Sequence, residues 1–411
     1  MSIGAIDYKE AIELALSRAK AVTNIEIVTI DNSIGRVIAQ DIYCQKDLPS
    51  FDNSAMDGFA IKISDLGKEI DVIGTVTAGL KGDFSIKDGS CYRIMTGAKV
   101  PNGSEAVVPI EMCKVSDDKV VLPQEIKTGA NIRLRGEEVT DGQLLISKGT
   151  LISEAIVSIL ASQGIVSVTV FRRVRIAVVS SGDELREPWE EAESDEIYNS
   201  NSFGIVAMLK RYGYDVSYIP ALKDSTKSIK EQLSKLKSYD LIVTSGGVSI
   251  GVADFMEKSF IENGIEILFH GIRVKPGHPT MAGVIDSTFV LSLPGNPLAA
   301  MLHLFILGIP VLSKISGSNS NHFDSFYAKN SKSFKIKPNK SNIVIGSVNS
   351  GIWRAVDDNK IGSGMITPLA KANSIAVIES SNSEVKEGEF IKVVPFESIC
   401  NSTNLSLFNN F

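Results

Sequence analysis

The sequence predicts a multidomain α/β protein: a doubly wound, parallel sheet domain joined to a split α+β domain, an inserted mostly-β domain and a C-terminal β-barrel-like domain. Three observations carry this. Between 171 and 317, apolar strands alternate with amphipathic helices, the pattern of βαβ units. Upstream, a stretch of short β-like runs and glycine turns interrupts a helix-bearing segment whose character resumes beyond it. After Gly317 the helical spacing stops and short strands separated by turns take over. A chain of 411 residues is also too long for one simple core.

The split domain is expected over 1–47 and 139–170. Asp7 and Glu10 form a capping-box-like start to a helix carrying Ala11, Ile12, Leu14, Ala15 and Leu16. A strand over 26–30 and a short helix over 33–40 follow, and the second segment adds a helix over 153–162 and a strand over 166–170. The insert, 48–138, holds strands such as 71–76 and 106–110 between Gly79, Gly82, Gly89, Gly97 and Gly103. The sheet domain, 171–317, has strands near 174–180, 214–219, 240–245, 266–274 and 288–293. Its helices fall near 201–211, 225–237, 254–262 and 297–312. The unbroken run Leu241, Ile242, Val243 is that of a central parallel strand covered on both faces. The last domain, 318–411, has strands over 334–337, 343–345, 375–378 and 390–394, and its polar end, 401–411, is expected to be loosely ordered.

Composition narrows the function classes. A formal net charge of −6 argues against a general nucleic-acid binder, but a local pocket can still hold a small anion. The four cysteines, 44, 91, 113 and 400, include no close pair and suggest neither a disulfide framework nor a structural zinc site. The most apolar stretch, 304–312, is interrupted by Gly308 and Pro310 and falls short of the roughly 20 residues a membrane span needs. Residues 5–21 do not form a signal-peptide core. A cytoplasmic protein is the expectation.

Three glycine-bearing turns follow apolar strands: SSGDEL (180–185), TSGGVS (244–249) and LPGNP (293–297). Ligands of open α/β sheets bind at the carboxyl ends of the strands. Backbone amides of such turns, with the hydroxyls of Thr244, Ser245 and Ser249, suit an anion. Asp183, Glu184, Asp224 and Asp254 fall where strand ends meet helix starts; acids there serve as helix caps or, with substrate oxygens, hold Mg²⁺. In HGIRVKPGHPT (270–280), Arg273, Lys275 and His278 sit on a proline-stiffened loop suited to an oxyanion. FDNSAMDGFA (51–60) places Asp57 in a polar turn. NIRLRGEEV (131–139) sets Arg133 and Arg135 beside Glu137 and Glu138, either a solvated charge cluster or a phosphate contact. His303, within an apolar helix, reads as structural.

Taken together and in order, PSFDNSAMDGFA (49–60), IMTGAKVP with EAVVPIE (94–111), RGEEV (135–139), VVSSGDEL (178–185), TSGGVS with GVADF (244–255), VKPGHP (274–279) and LPGNP (293–297) resemble the molybdopterin molybdenumtransferases, the MoeA family, whose eukaryotic counterpart is the gephyrin E domain. The resemblance implies a four-domain homodimer with a cleft shared between the molybdopterin-binding domain of one subunit and the β insert of the other. It implies Mg²⁺-dependent insertion of molybdate into adenylylated molybdopterin with release of AMP, and a contact with the molybdopterin adenylyltransferase. Nucleic acid and membrane are not implied, and a non-catalytic molybdopterin-binding scaffold or carrier is the alternative. Carried over by motif, Asp57, Glu184, Asp224 and Asp254 surround the metal, and Asp57, Glu138, Glu184 and Lys275 are the catalytic set. Thr96, Ser181, Gly182, Ser245, Gly246, Gly247, Ser249, Pro294, Gly295 and Asn296 line the pterin-phosphate pocket. The chain departs from many relatives at Glu138, Gly271 and His278. Arg273 is the expected substitute for the cation missing at Gly271.

Overall fold

The computed structural model describes residues 5–222, 235–246, 255–398, 400–403 and 408–410. The chain divides into two compact units, one of 1–40, 149–157 and 167–411, the other of 41–148 and 158–166.

The larger unit is built on a six-stranded sheet in the order Val216–Leu222, Ile176–Ser181, Leu241–Ser245, Thr288–Leu293, Met281–Ile285, Glu266–His270. The first four strands are parallel. The last two are antiparallel, which corrects the expectation of an all-parallel sheet. The reason is local: Asp286 adopts φ 54° and, with Ser287, turns the chain directly from Met281–Ile285 into Thr288–Leu293, so no crossover helix is needed. The expected strand over 266–274 correspondingly ends at His270.

Central strands are buried on both faces. Ala177, Val179, Ile242 and Val290 pack with Phe260 of the helix Phe255–Glu262. Val178, Val243 and Leu291 face the helices Ser200–Arg211 and Pro297–His303. The helix from Pro297 runs on through a π-helical turn, Leu304–Gly308, into Ile309–Ile315. Gly308 and Pro310 therefore do not break it. At 19 residues it is long and apolar enough to cross a membrane, but 89% of it is packed inside the protein.

The N-terminal helix Tyr8–Arg18 buries Tyr8, Ala11, Ile12 and Ala15 against the same core. No α-helix forms over 33–40; a 3-10 turn, Ile30–Asn32, is followed by isolated pairings of Val37 with Leu151 and Ile38 with Val170. Arg36 explains the change, because its guanidinium, 7% exposed, bonds Glu26 and the Phe171 carbonyl and so draws the segment onto the neighbouring strands.

The C-terminal region closes into a barrel. Lys340–Asn349 pairs with both Ile352–Ala355 and Ser374–Ser380, and the ring is completed through Phe326–Asn330 and Phe390–Pro395. Trp353 fills it, with its Nε1 donating to Ser374 Oγ at 3.1 Å. The end of the chain is not loose throughout: Phe408 is buried and Phe408–Asn410 pairs with the barrel.

The smaller unit holds its own six-stranded sheet, ordered Ala106–Pro109, Gly58–Ile61, Ser90–Ile94, Glu69–Val76, Lys119–Val121, Lys114–Ser116. Phe59, Ile61, Cys91 and Val108 form its core.

Emptying the barrel is expected to be costly. Trp353→Ala should remove roughly 3–5 kcal/mol of stability, read as a lower denaturation midpoint by circular dichroism; an unchanged midpoint would show that Trp353 is not the barrel's core.

Candidate functional site

The strands that dominate the sheet are apolar until their carboxyl ends, where hydroxyls replace methyls. Ser180 stands in register with Ser245, and Ser245 with Leu293, so three strands end level and their turns converge. Ser180, Ser181, Thr244, Ser245 and Ser292 are all buried. Ser180 Oγ pairs with Ser202 Oγ at 2.7 Å, and Ser245 Oγ donates to the Pro294 carbonyl at 3.3 Å. Ser181 Oγ, Thr244 Oγ1 and Ser292 Oγ have no partner among the described residues. A buried hydroxyl left unpaired costs about 1–3 kcal/mol; of these three, Ser181 lines the pocket at the strand ends, whereas Thr244 and Ser292 alternate onto the face of Ile242 and Val290.

Glycine is required at the turn itself. Gly246 has φ 85°, and a Cβ there would lie 2.8 Å from the Ser181 carbonyl oxygen. Gly295 lies beside it at ordinary contact distance, its missing Cβ falling 3.7 Å from Gly246 Cα. Together with Ser181, Glu184, Asn201, Ser245 and Asn296 these turns line a pocket of about 280 Å³. Of the expected pocket residues, Ser181, Gly182, Ser245, Gly246, Pro294, Gly295 and Asn296 are thus gathered at one end of the sheet. Gly247 and Ser249, with Asp224 and Asp254, lie outside the described residues.

The sequence reading missed Asn201. Its Nδ2 donates at 2.8 Å to both Ser245 Oγ and the Gly295 carbonyl, tying two of the three turns together. The available signal was its place in NSN, where Asn199 caps the helix Ser200–Arg211 and leaves Asn201 on the first turn. Also missed was Glu187, 5% exposed, which accepts from the Ala221 amide at 2.9 Å and bonds the Tyr218 hydroxyl, fixing the chain just after Glu184. Burial, with the carboxylate beside it, pushes the Tyr218 phenol above its ordinary value.

Glu184 is exposed and folds back over the first turn, its Oε2 lying 2.7 Å from where a Cβ of Gly182 would stand. Lys275 is also exposed, on a short strand, Val274–Lys275, that pairs with Ser341 and Asn342 of the barrel. Arg273 does not take the anion-holding part proposed for it. Its Nε donates to Asp7 Oδ1 at 2.8 Å and its Nη1 to the Ala5 carbonyl at 2.9 Å, so its charge is spent on the N-terminal segment. That bond holds the Asp7 carboxyl below its usual range. His278 Nδ1 lies 2.7 Å from the Ile272 carbonyl, leaving only Nε2 for any other contact. His303 is structural, as read: fully buried, with Nε2 3.0 Å from the Pro276 carbonyl and Nδ1 3.2 Å from Thr280 Oγ1.

In the smaller unit, Asp57 Oδ1 accepts from both the amide and the hydroxyl of Thr96, each at 2.7 Å. The amide and then the hydroxyl hold this carboxyl below its ordinary value, so it is charged at neutral pH. Sequence-distant residues are brought into contact here by the pairing of Gly58–Ile61 with Ser90–Ile94. Arg135 is engaged locally, by Asp47 through its side chain and Asp52 through its amide at 2.7 Å. Glu138 is exposed, with its amide on the Leu48 carbonyl at 3.0 Å.

Among the described residues no three acids, histidines or cysteines come together as a metal cluster. The oxygen donors of the larger unit's pocket, Glu184 and serine hydroxyls, are nonetheless hard ligands of the kind Mg²⁺ takes, with no thiol or imidazole among them.

The fold and the pocket define an α/β ligand-binding domain set within a larger multidomain chain. Residues 177–314 match the family model of a probable molybdopterin binding domain, 6–164 that of the MoeA N-terminal region (domain I and II), and 327–396 that of the MoeA C-terminal region (domain IV). A molybdopterin molybdenumtransferase of Haemophilus influenzae is 30% identical over 395 residues, covering 92% of this chain and 95% of the relative. One of Staphylococcus epidermidis is 30% identical over 404 residues, covering 96% of each. The crystal structure of the molybdopterin biosynthesis moeA protein from Pyrococcus horikoshii OT3 superposes with a TM-score of 0.83 at 27% identity, covering 95% of this chain and 100% of that one. The chain belongs to the molybdopterin molybdenumtransferase, or MoeA, family.

Two titrations check the local chemistry. Thr96→Val removes one of the two donors to Asp57, and the Asp57 carboxyl should then titrate at higher pH by carbon-detected NMR; an unmoved titration would show that the hydroxyl does not hold the charge. Burial pushes the His303 imidazole down to about 4 from an unfolded value of 6.5. Its neutral form therefore stabilises the fold fully above pH 6.5, and this contribution is lost as pH falls towards 4. About 2 kcal/mol should be gone by pH 5. Wild type should accordingly lose that much more stability than His303→Gln between pH 7 and 5, and parallel losses would contradict the assignment.

Proposed function

We propose that this chain is a molybdenum insertase: it takes molybdate and adenylylated molybdopterin, releases AMP and leaves molybdenum cofactor. The observation that carries the reading is the convergence of three glycine-bearing turns, with the unpaired buried hydroxyl of Ser181 among them, at the level ends of strands in a chain of this family. A pocket of about 280 Å³ suits part of an extended ligand, with the remainder lying outside it.

In this reading the amides and hydroxyls around Ser181, Gly182, Ser245, Gly246, Gly247, Ser249, Pro294, Gly295 and Asn296 hold the pterin-phosphate end. Lys275 supplies a compact cation for the oxyanion. Glu184, with Asp224 and Asp254, would hold Mg²⁺ on one subunit, and Asp57 would serve with Thr96 and Glu138 from the insert of the other. A bound Mg²⁺ supplies charge neutralisation for the oxygens of the breaking phosphoanhydride. Asp57 enters already deprotonated, because Thr96 holds its charge. A four-domain homodimer with a shared cleft follows from this division of labour, and exposed Ile25 and Ile27 in the larger unit offer apolar surface for pairing. We place the protein in the cytoplasm, in contact with the molybdopterin adenylyltransferase that would supply its substrate.

Two substitutions test the assignment. Asp57→Ala should lower molybdate-dependent AMP release by about 10² or more while adenylylated molybdopterin stays bound. Wild-type turnover in that variant would remove Asp57 from the mechanism. Gly246→Val should weaken molybdopterin binding, since the new side chain meets the Ser181 carbonyl and the φ of 85° is strained for it. Unchanged affinity would make the turn purely structural.

A further inference from the structure

We infer that His303 is a positioning residue for Lys275, anchoring the loop 275–280 to the helix that also carries the pocket turn Pro294–Gly295–Asn296. The inference rests on the reading of Lys275 as an oxyanion holder.

The loop keeps its own shape through internal bonds. The Ile272 amide donates to the His278 carbonyl at 2.8 Å, the Gly271 amide to the Thr280 carbonyl at 3.0 Å, and His278 Nδ1 meets the Ile272 carbonyl. Shape is not placement. The front of the loop is placed by other elements: Ile6 bridges Ile272, Asp7 pairs Arg273, and Val274–Lys275 lies along Ser341 and Asn342. Beyond Lys275, His303 takes over. Its Nε2 faces the Pro276 carbonyl, which can only accept, so the proton of the neutral ring sits on Nε2. Its Nδ1, an acceptor in that tautomer, lies 3.2 Å from the Thr280 hydroxyl, whose single proton is shared between Nδ1 and the Gly277 carbonyl at 2.8 Å. One ring thus grips Pro276 directly and Thr280 through its hydroxyl, on either side of Gly277. The fit leaves no slack: a Cβ on Gly277 would fall 2.1 Å from Nε2, and the residue has φ 99°.

The ring is itself immobilised. Tyr8 packs edge-on against it with centroids 5.4 Å apart, and the side chain is fully buried. Its helix begins directly after Asn296 and reaches His303 about 10 Å further on. A single rigid element therefore sets the turn that lines the pocket and the loop that presents Lys275. Fixing a cation relative to a ligand's other contacts is the kind of constraint on which oriented catalysis depends.

The test compares His303→Leu, His303→Gln, Gly277→Ala and Lys275→Ala in the full-length chain, using molybdate and adenylylated molybdopterin as probes and following hydrogen exchange of peptides covering 271–280. His303→Leu should raise KM for molybdate about tenfold with kcat changed less than threefold, and should speed exchange in the loop. His303→Gln keeps a donor for Pro276 and should restore most of the affinity. Gly277→Ala should reproduce the KM defect without altering His303, which covers the case in which His303→Leu folds poorly. Faster exchange with an unchanged KM would overturn the positioning role. A Lys275→Ala variant with normal KM would instead overturn the oxyanion reading beneath it, and is told apart because the loop's exchange stays at the wild-type rate.

Discussion

Everything at the candidate site depends on three parallel strands ending at the same level. The register that pairs Ser180 with Ser245 and Ser245 with Leu293 is fixed by apolar side chains buried on both faces of the sheet, where a slip would exchange every one of them. Once that register is set, the turns after the strands are forced together. At the tightest point only a residue without a side chain can stand, and there Gly246 passes within contact of the Ser181 carbonyl. The same crowding brings hydroxyls into the sheet's end, those of Ser245 and Ser180 bonded to Asn201 and Ser202 and that of Ser181 unpaired at the pocket.

Around this fixed floor the larger unit recruits residues far apart in sequence. The loop bearing Lys275 is clasped by the N-terminal segment, a barrel strand and the helix of His303. Asn296 sends its Nδ2 to Ser363 Oγ at 2.9 Å, so the barrel also reaches the pocket turn. The barrel thus has a mechanical part in holding the sheet domain's ligand-facing turns. In the smaller unit the same economy is seen on a smaller scale, with one strand pairing presenting Asp57 to two donors of Thr96.

Much of this was legible in the sequence because it rests on local patterns. Continuous apolar runs closed by Ser-Gly or Pro-Gly turns located the strand ends, and alternation with helices fixed the fold class. The failures are equally physical. The strand Met281–Ile285 was passed over because a two-residue turn at Asp286, rather than a helix, joins it to the next strand. The helix expected over 297–312 does form and runs on to Ile315, with a π turn over Leu304–Gly308 absorbing the disruption at Gly308 and Pro310. Arg273 looked available because its partner, Asp7, is 266 residues away. Asn201 carried too common a local signature to be singled out before its partners were known. Cys44, Cys91, Cys113 and Cys400 are free thiols.

The most direct test of the central claim is AMP release by the wild-type chain from adenylylated molybdopterin in Mg²⁺, with molybdate supplied or withheld. The account predicts release that depends on molybdate and yields active cofactor. Tight nucleotide binding with no release under either condition would contradict it and leave a carrier of molybdopterin in place of an insertase.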